Sequence, residues 1–104
     1  VKNQFKKDSK DNQFSKPMFE LIDPDFLKDV AKVLTFGANK YGLFNWQNAK
    51  QKELHHLTGA IYRHLNEYQT GEIFDKESKL QHMAHISVNA MFLHWFFNNK
   101  VWRS

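Results

Sequence analysis

The sequence predicts an all-α fold of three main helices, a bundle completed by oligomerisation. Three observations carry this. Apolar residues recur at helical spacing in three separate segments, about 24–41, 52–70 and 80–98. Glycines, Gly42 and Gly71, stand where the first two segments end. The third segment is apolar nearly all round, with Met83, Ala84, Ile86, Val88, Met91, Phe92, Leu93, Trp95, Phe96 and Phe97. Such a helix needs cover on most sides. Two neighbours in a small chain supply too little, so its second half is expected to pack against another copy.

Each element has a local cause. Residues 1–16 form a polar tail with five Lys and two Asp, and residues 17–104 form the domain. The tail reads either as a solvated terminus or as a phosphate-contacting arm. Met18–Ile22 is a short apolar patch expected to dock on the body. Asp23-Pro24 reads as N-cap and first helical residue. Phe26, Leu27, Val30, Ala31, Val33, Leu34, Ala38 and Tyr41 then follow helical spacing to Gly42. Gly37, inside this helix, costs about 1 kcal/mol against Ala. A close helix or a ligand near the backbone would justify it. Residues 42–51 form a loop whose Phe44 and Trp46 are too apolar for an idle connection. The second helix carries Leu54, Leu57, Ile61, Leu65 and Tyr68 on its core stripe, and 72–79 is a short acidic link.

Composition bounds the function. With 104 residues there is room for one small core. A hydrophobic content of 41% with ten Phe marks a folding chain. There is no cysteine, which excludes disulfides, thiolate metal sites and thiol catalysis. No apolar run approaches the roughly 20 residues that span a bilayer, and the start of the chain lacks a signal-peptide core. A cytoplasmic protein with no membrane partner is expected. The net charge of +4 sits mostly in the tail, so the body is nearly neutral and nucleic acid is a poor partner.

Chemistry concentrates between Arg63 and Asn89. Four carboxylates, Glu67, Glu72, Asp75 and Glu77, crowd here with three of the six histidines. Crowded carboxylates repel unless a cation compensates them, and oxygen-rich sets favour Mg²⁺ or Mn²⁺. On the second helix Glu67 can reach Arg63 or His64, which also suits an ordinary surface salt bridge. On the third, His82, His85 and Asn89 make one polar stripe, either satisfied core groups or the wall of a ligand site. Lys40, Tyr41, Asn45 and Trp46 offer a cation, an amide and two aromatics, suited to phosphate and base or to plugging the core. The motifs GxxxxGK[ST], GxSxG and HExxH, and the His-Asp dipeptide, are absent.

These residues carry a resemblance. KPMFELI (16–22), LTFGANKYGLFNW (34–46), RHLNEYQTGE (63–72), DKESKLQH (75–82) and the pair His85, Asn89 resemble the phage-type dATP/dGTP diphosphohydrolases, all-α MazG-like pyrophosphohydrolases. Departures are Met18 where the family tends to have Arg, Glu20 for Asp, and Lys79 for Gly. The resemblance implies a MazG-like bundle acting as a dimer or tetramer in the cytoplasm of a bacterial host. It implies hydrolysis of a purine deoxynucleoside triphosphate to monophosphate and pyrophosphate with Mg²⁺ or Mn²⁺. Glu67, Glu72, Asp75 and Glu77 would hold metal, Glu67 and Glu72 being catalytic. Lys40, Arg63, His64, His82 and His85 would face phosphates, and Asn45, Trp46 and Asn89 the base or sugar. A non-catalytic protein that sequesters a signalling nucleotide is the competing expectation.

Overall fold

The protein is described by a computed structural model over residues 13–99. Most of the Lys-rich tail, with its arm-or-terminus question, therefore lies outside the described residues. Three helices make the body: α1 (Pro24–Tyr41), α2 (Leu54–Gln69) and α3 (His82–Asn99). Among the described residues there is no strand, only an isolated antiparallel bridge between Phe74 and Gln81. No described helix is long and apolar enough to cross a membrane.

The helix ends fall where the local chemistry places them. The Asp23 carboxylate accepts the Phe26 N–H at 2.9 Å, satisfying one of the free donors of the first turn of α1. Gly42, at φ 103°, closes the helix by donating its N–H to Ala38 O at 2.8 Å. The loop runs through two short 3₁₀ turns, Asn45–Asn48 and Gln51–Glu53. The Glu53 side chain then accepts the Lys50 N–H at 2.7 Å, leading into α2. Gly71, at φ 108°, follows the end of α2. Residues 73–82 fold as a small hairpin, in which Asp75 N–H reaches Leu80 O at 2.8 Å and His82 N–H reaches Ile73 O at 3.0 Å. Lys79 sits at its tip with φ 63°. A left-handed position suits glycine, so the departure of Lys79 from the family pattern has a backbone cost.

α3 is the central element, packed more extensively on α2 than on α1. The core joins Val33 of α1 to Ala84 and Val88 of α3, with Val30, Leu34, Leu80 and Phe92 around them. A second cluster covers the far half of α3. Trp46 of the loop stacks on Phe92 at 4.4 Å and meets Trp95 and Phe96 edge-on. Phe96 is thereby fully buried within one chain. The loop thus supplies cover that the sequence assigned to another copy, although Met91 and Phe97 stay exposed. The Met18–Ile22 patch does not dock as expected. It forms a single 3₁₀ turn that turns Phe19 (78% exposed) and Leu21 (77%) to solvent.

Candidate active site

A cavity of about 730 Å³ is walled by the C-terminal half of α1, the 42–46 loop, one face of α2 and α3. Its size is that of a small-ligand pocket. Lys40, Asn45, Trp46, Arg63 and Asn89 lie on its wall, together with His64, His85, Asp75 and Glu77. His82, Glu67 and Glu72 do not reach the cavity wall.

One corner is built from histidine and carboxylate. His64 is on the inward stripe of α2, at helical spacing from Leu57 and Ile61, and is 6% exposed. Its Nδ1 lies 2.8 Å from Nδ1 of His82, which is wholly buried at the start of α3. The other ring nitrogen of His82, Nε2, meets Glu72 Oε1 at 2.9 Å and Glu67 Oε1 at 3.7 Å. The His85 ring stacks on His64 at 4.5 Å, nearly parallel, and its Nε2 is 2.7 Å from Ser78 Oγ. The Asp75 carboxylate accepts the N–H groups of Glu77 at 3.1 Å and Ser78 at 2.8 Å, which fixes the hairpin turn.

The electrostatics follow from this packing. Burial strips water from His64, and the neighbouring His85 adds repulsion, so its pKa falls to about 4. Burial also lowers His85. For Asp75 burial works in the opposite direction, but the Ser78 hydrogen bonds and the two nearby histidines outweigh it and hold the carboxyl below its ordinary value. At neutral pH the corner therefore presents neutral His64 and His85 rings beside an ionised Asp75. One ligand atom each from His64, Glu67, Asp75 and His82 lies within 4.8 Å of the others, a grouping able to hold a metal ion.

The four acids do not act as one set. Glu67, Glu72 and Asp75 gather around the histidines, whereas Glu77 points to α1 and pairs with Lys40. Lys40 is raised above its ordinary pKa by that hydrogen bond and by Tyr41, whose ring centroid is 5.3 Å from Nζ. Arg63 makes no ion pair among the described residues, which leaves a free cation on the cavity wall. The polar stripe of α3 also divides. His82 is enclosed, His85 borders the cavity, and Asn89 turns its amide back to His85 O at 3.1 Å. Trp46 has one face against Phe92, so the aromatic loop both plugs the core and borders the cavity.

Ser78 is a site residue the sequence reading missed. The available signal was Asp75-x-x-Ser78, a spacing at which an aspartate caps a turn.

Comparison with known proteins identifies the family. No solved structure matches the chain. A protein of Salmonella phage PMBT28 described as "dATP/dGTP diphosphohydrolase" is 40% identical over 85 residues. The match takes in 82% of this chain but 28% of the phage protein, so the chain spans under a third of that relative's length. The family profile described as dATP/dGTP diphosphohydrolase, N-terminal, matches residues 6–103. The chain belongs to the family of dATP/dGTP diphosphohydrolase N-terminal domains.

Proposed function

We propose that this domain hydrolyses a purine deoxynucleoside triphosphate to the monophosphate and pyrophosphate, in the bacterial cytoplasm, with Mg²⁺ or Mn²⁺ as cofactor. The carrying observation is the cavity itself. Its wall joins aromatic and amide groups, Trp46 and Asn45, to charged and ligating groups, Asp75, His64, Arg63 and Lys40. That combination suits a nucleotide, with aromatic and amide groups for a base and cations and ligands for phosphates. Water attacks the α-phosphorus, the bond from that phosphorus to the α–β bridging oxygen breaks, and pyrophosphate leaves.

The donor set fits a divalent cation. Glu67 and Asp75 offer hard oxygens and His64 a nitrogen, in one small volume. A cation bound there supplies Lewis-acid neutralisation of the phosphate oxygens. Glu67 and Glu72 orient the buried His82, and Glu67, set just behind the wall beside Asp75, is the final acceptor for the attacking water's proton. Arg63 meets departing phosphate charge directly. Lys40 does so by exchanging Glu77 for a phosphate oxygen. Asn45 and Asn89 contact base or sugar.

A homo-oligomer, dimer or tetramer, is part of this proposal. Phe19, Leu21, Ile22, Phe26 and Leu27 are all exposed on one short stretch, and apolar patches of that kind mark interaction surfaces. Sedimentation at micromolar concentration should show no monomer for the native chain, and Phe19→Ser with Leu21→Ser should release it.

The deciding experiment for the activity is incubation with the four common dNTPs and either metal, followed by chromatography of products. Monophosphate and pyrophosphate from dATP or dGTP are expected. Tight nucleotide binding with no product under either metal would replace hydrolysis by sequestration.

A further inference from the structure

His64 on the cavity wall and His82 behind it leave one ring nitrogen unaccounted for. His82 uses both of its own. Its Nε2 faces the carboxylates of Glu72 at 2.9 Å and Glu67 at 3.7 Å, and its Nδ1 lies 2.8 Å from Nδ1 of His64. An ionised carboxylate only accepts, so His82 carries its proton on Nε2. In a neutral ring Nδ1 is then a bare acceptor. With both rings uncharged, the proton between them belongs to His64, on Nδ1. This leaves His64 Nε2 with a lone pair and no hydrogen-bond partner among the described residues, in a ring 6% exposed. A buried acceptor in that state costs about 1–3 kcal/mol unless something meets it.

We propose that the Glu72–His82 pair sets His64 to coordinate a divalent cation through Nε2, alongside Asp75 and Glu67. The site then takes a first-row transition ion, with Mn²⁺ preferred over Mg²⁺. The proposal rests on the reading above that a cation binds in this corner, and it names the nitrogen ligand and the selectivity. Mg²⁺ is satisfied by oxygen and gains little from imidazole, whereas transition ions accept it. His82 is a positioning residue, since both its nitrogens are engaged. A carboxylate behind a ligating histidine fixes its tautomer and raises its basicity. Here the device is one ring longer. His85 does not take this role, because it lies outside the donor group of His64, Glu67, Asp75 and His82, and its Nε2 is held by Ser78.

The first test needs no variant. Nitrogen-15 spectra of the metal-free wild-type protein at neutral pH should show His64 protonated on Nδ1. Protonation on Nε2 instead would assign an imidazolium to His82 and overturn the relay. The second test loads Mn²⁺ alone and records pulsed electron paramagnetic resonance. Directly coordinated nitrogen is expected in the wild type and absent in His64→Gln. Bound Mn²⁺ with no nitrogen coupling in the wild type, or with the same coupling in His64→Gln, overturns the proposal. The third concerns position. His82→Phe should weaken Mn²⁺ binding about tenfold or more and Mg²⁺ binding much less. His82→Gln, which can donate to Glu72 and accept from His64, should restore much of it. Unchanged Mn²⁺ affinity in His82→Phe rules the relay out. Nitrogen coupling without dNTP hydrolysis would support this site while removing the hydrolase reading. Hydrolysis with an all-oxygen Mn²⁺ site would do the reverse.

Discussion

The corner where α2 passes to α3 and the N-terminal flank of α1 have exchanged the usual roles of inside and outside. At the corner, His64 and His82 are buried, paired with each other, and His82 is backed by the Glu72 carboxylate. On the flank, Phe19, Leu21, Ile22, Phe26 and Leu27 face solvent. Hydrophobicity alone would reverse both. Buried polar groups are retained where each finds a partner, and exposed apolar groups where a surface has further use. The contrast separates a part of the molecule built around its own chemistry from a part that presents itself outward.

The largest effect expected at the corner is catalytic. Glu67→Gln keeps the shape of the side chain and removes its charge. Turnover should fall about 100-fold or more, while helical circular dichroism and Tm stay near the native values. A large drop in Tm would instead make Glu67 a structural member of the buried network.

Acid should find the same corner from the other direction. In the folded, metal-free protein His64 titrates at about 4, against an ordinary value of 6.5. The unfolded chain therefore takes up a proton that the folded chain refuses. Stability from this source is complete above 6.5 and is lost as pH falls from 6.5 towards 4. His85, also lowered by burial, acts in the same direction. Thermal melts in EDTA between pH 7 and 4.5 should show Tm falling through this window. A flat profile would mean that the rings are open to water.

Two glycines sharpen the contrast between walls. A methyl group at Gly37 or at Gly59 would meet nothing within 4 Å. Each change to Ala should therefore stabilise its helix by about 1 kcal/mol. Gly37 borders the cavity and Gly59 does not. Nucleotide affinity measured by calorimetry should fall for Gly37→Ala and hold for Gly59→Ala. Equal behaviour would show that the occupant stays clear of the α1 wall. The smallest effect is at the hairpin tip. Lys79→Gly should raise stability by up to about 1 kcal/mol in denaturant melts, by relieving a left-handed backbone.

The helices were legible because their signals are local and periodic. Asp23 caps, Pro24 starts, Gly42 and Gly71 stop, and α3 begins within two residues of its expected position. The corner was legible in its membership but not in its arrangement. Residues 72–81 have no regular period, so side-chain direction there depends on turn geometry. That geometry sends Asp75 inward and Glu77 across to Lys40. His64 could have been placed from its register with Leu57 and Ile61. Its polarity argued for the surface, and its pairing with His82, eighteen positions along the chain, is visible only after folding. The Met18–Ile22 patch was misplaced for a related reason. Hydrophobicity predicts burial against something, but among the described residues no surface covers it.

The Trp46 cluster gives the protein an optical property. The indole borders the cavity and leans edge-on against Trp95 at 5.1 Å, while the third tryptophan, Trp102, lies outside the described residues. Excited indole emission shifts and quenches with its surroundings, above all when a nucleobase approaches its ring. Occupancy of the cavity is thereby written into the intrinsic fluorescence of the chain, and no attached dye is needed to read it.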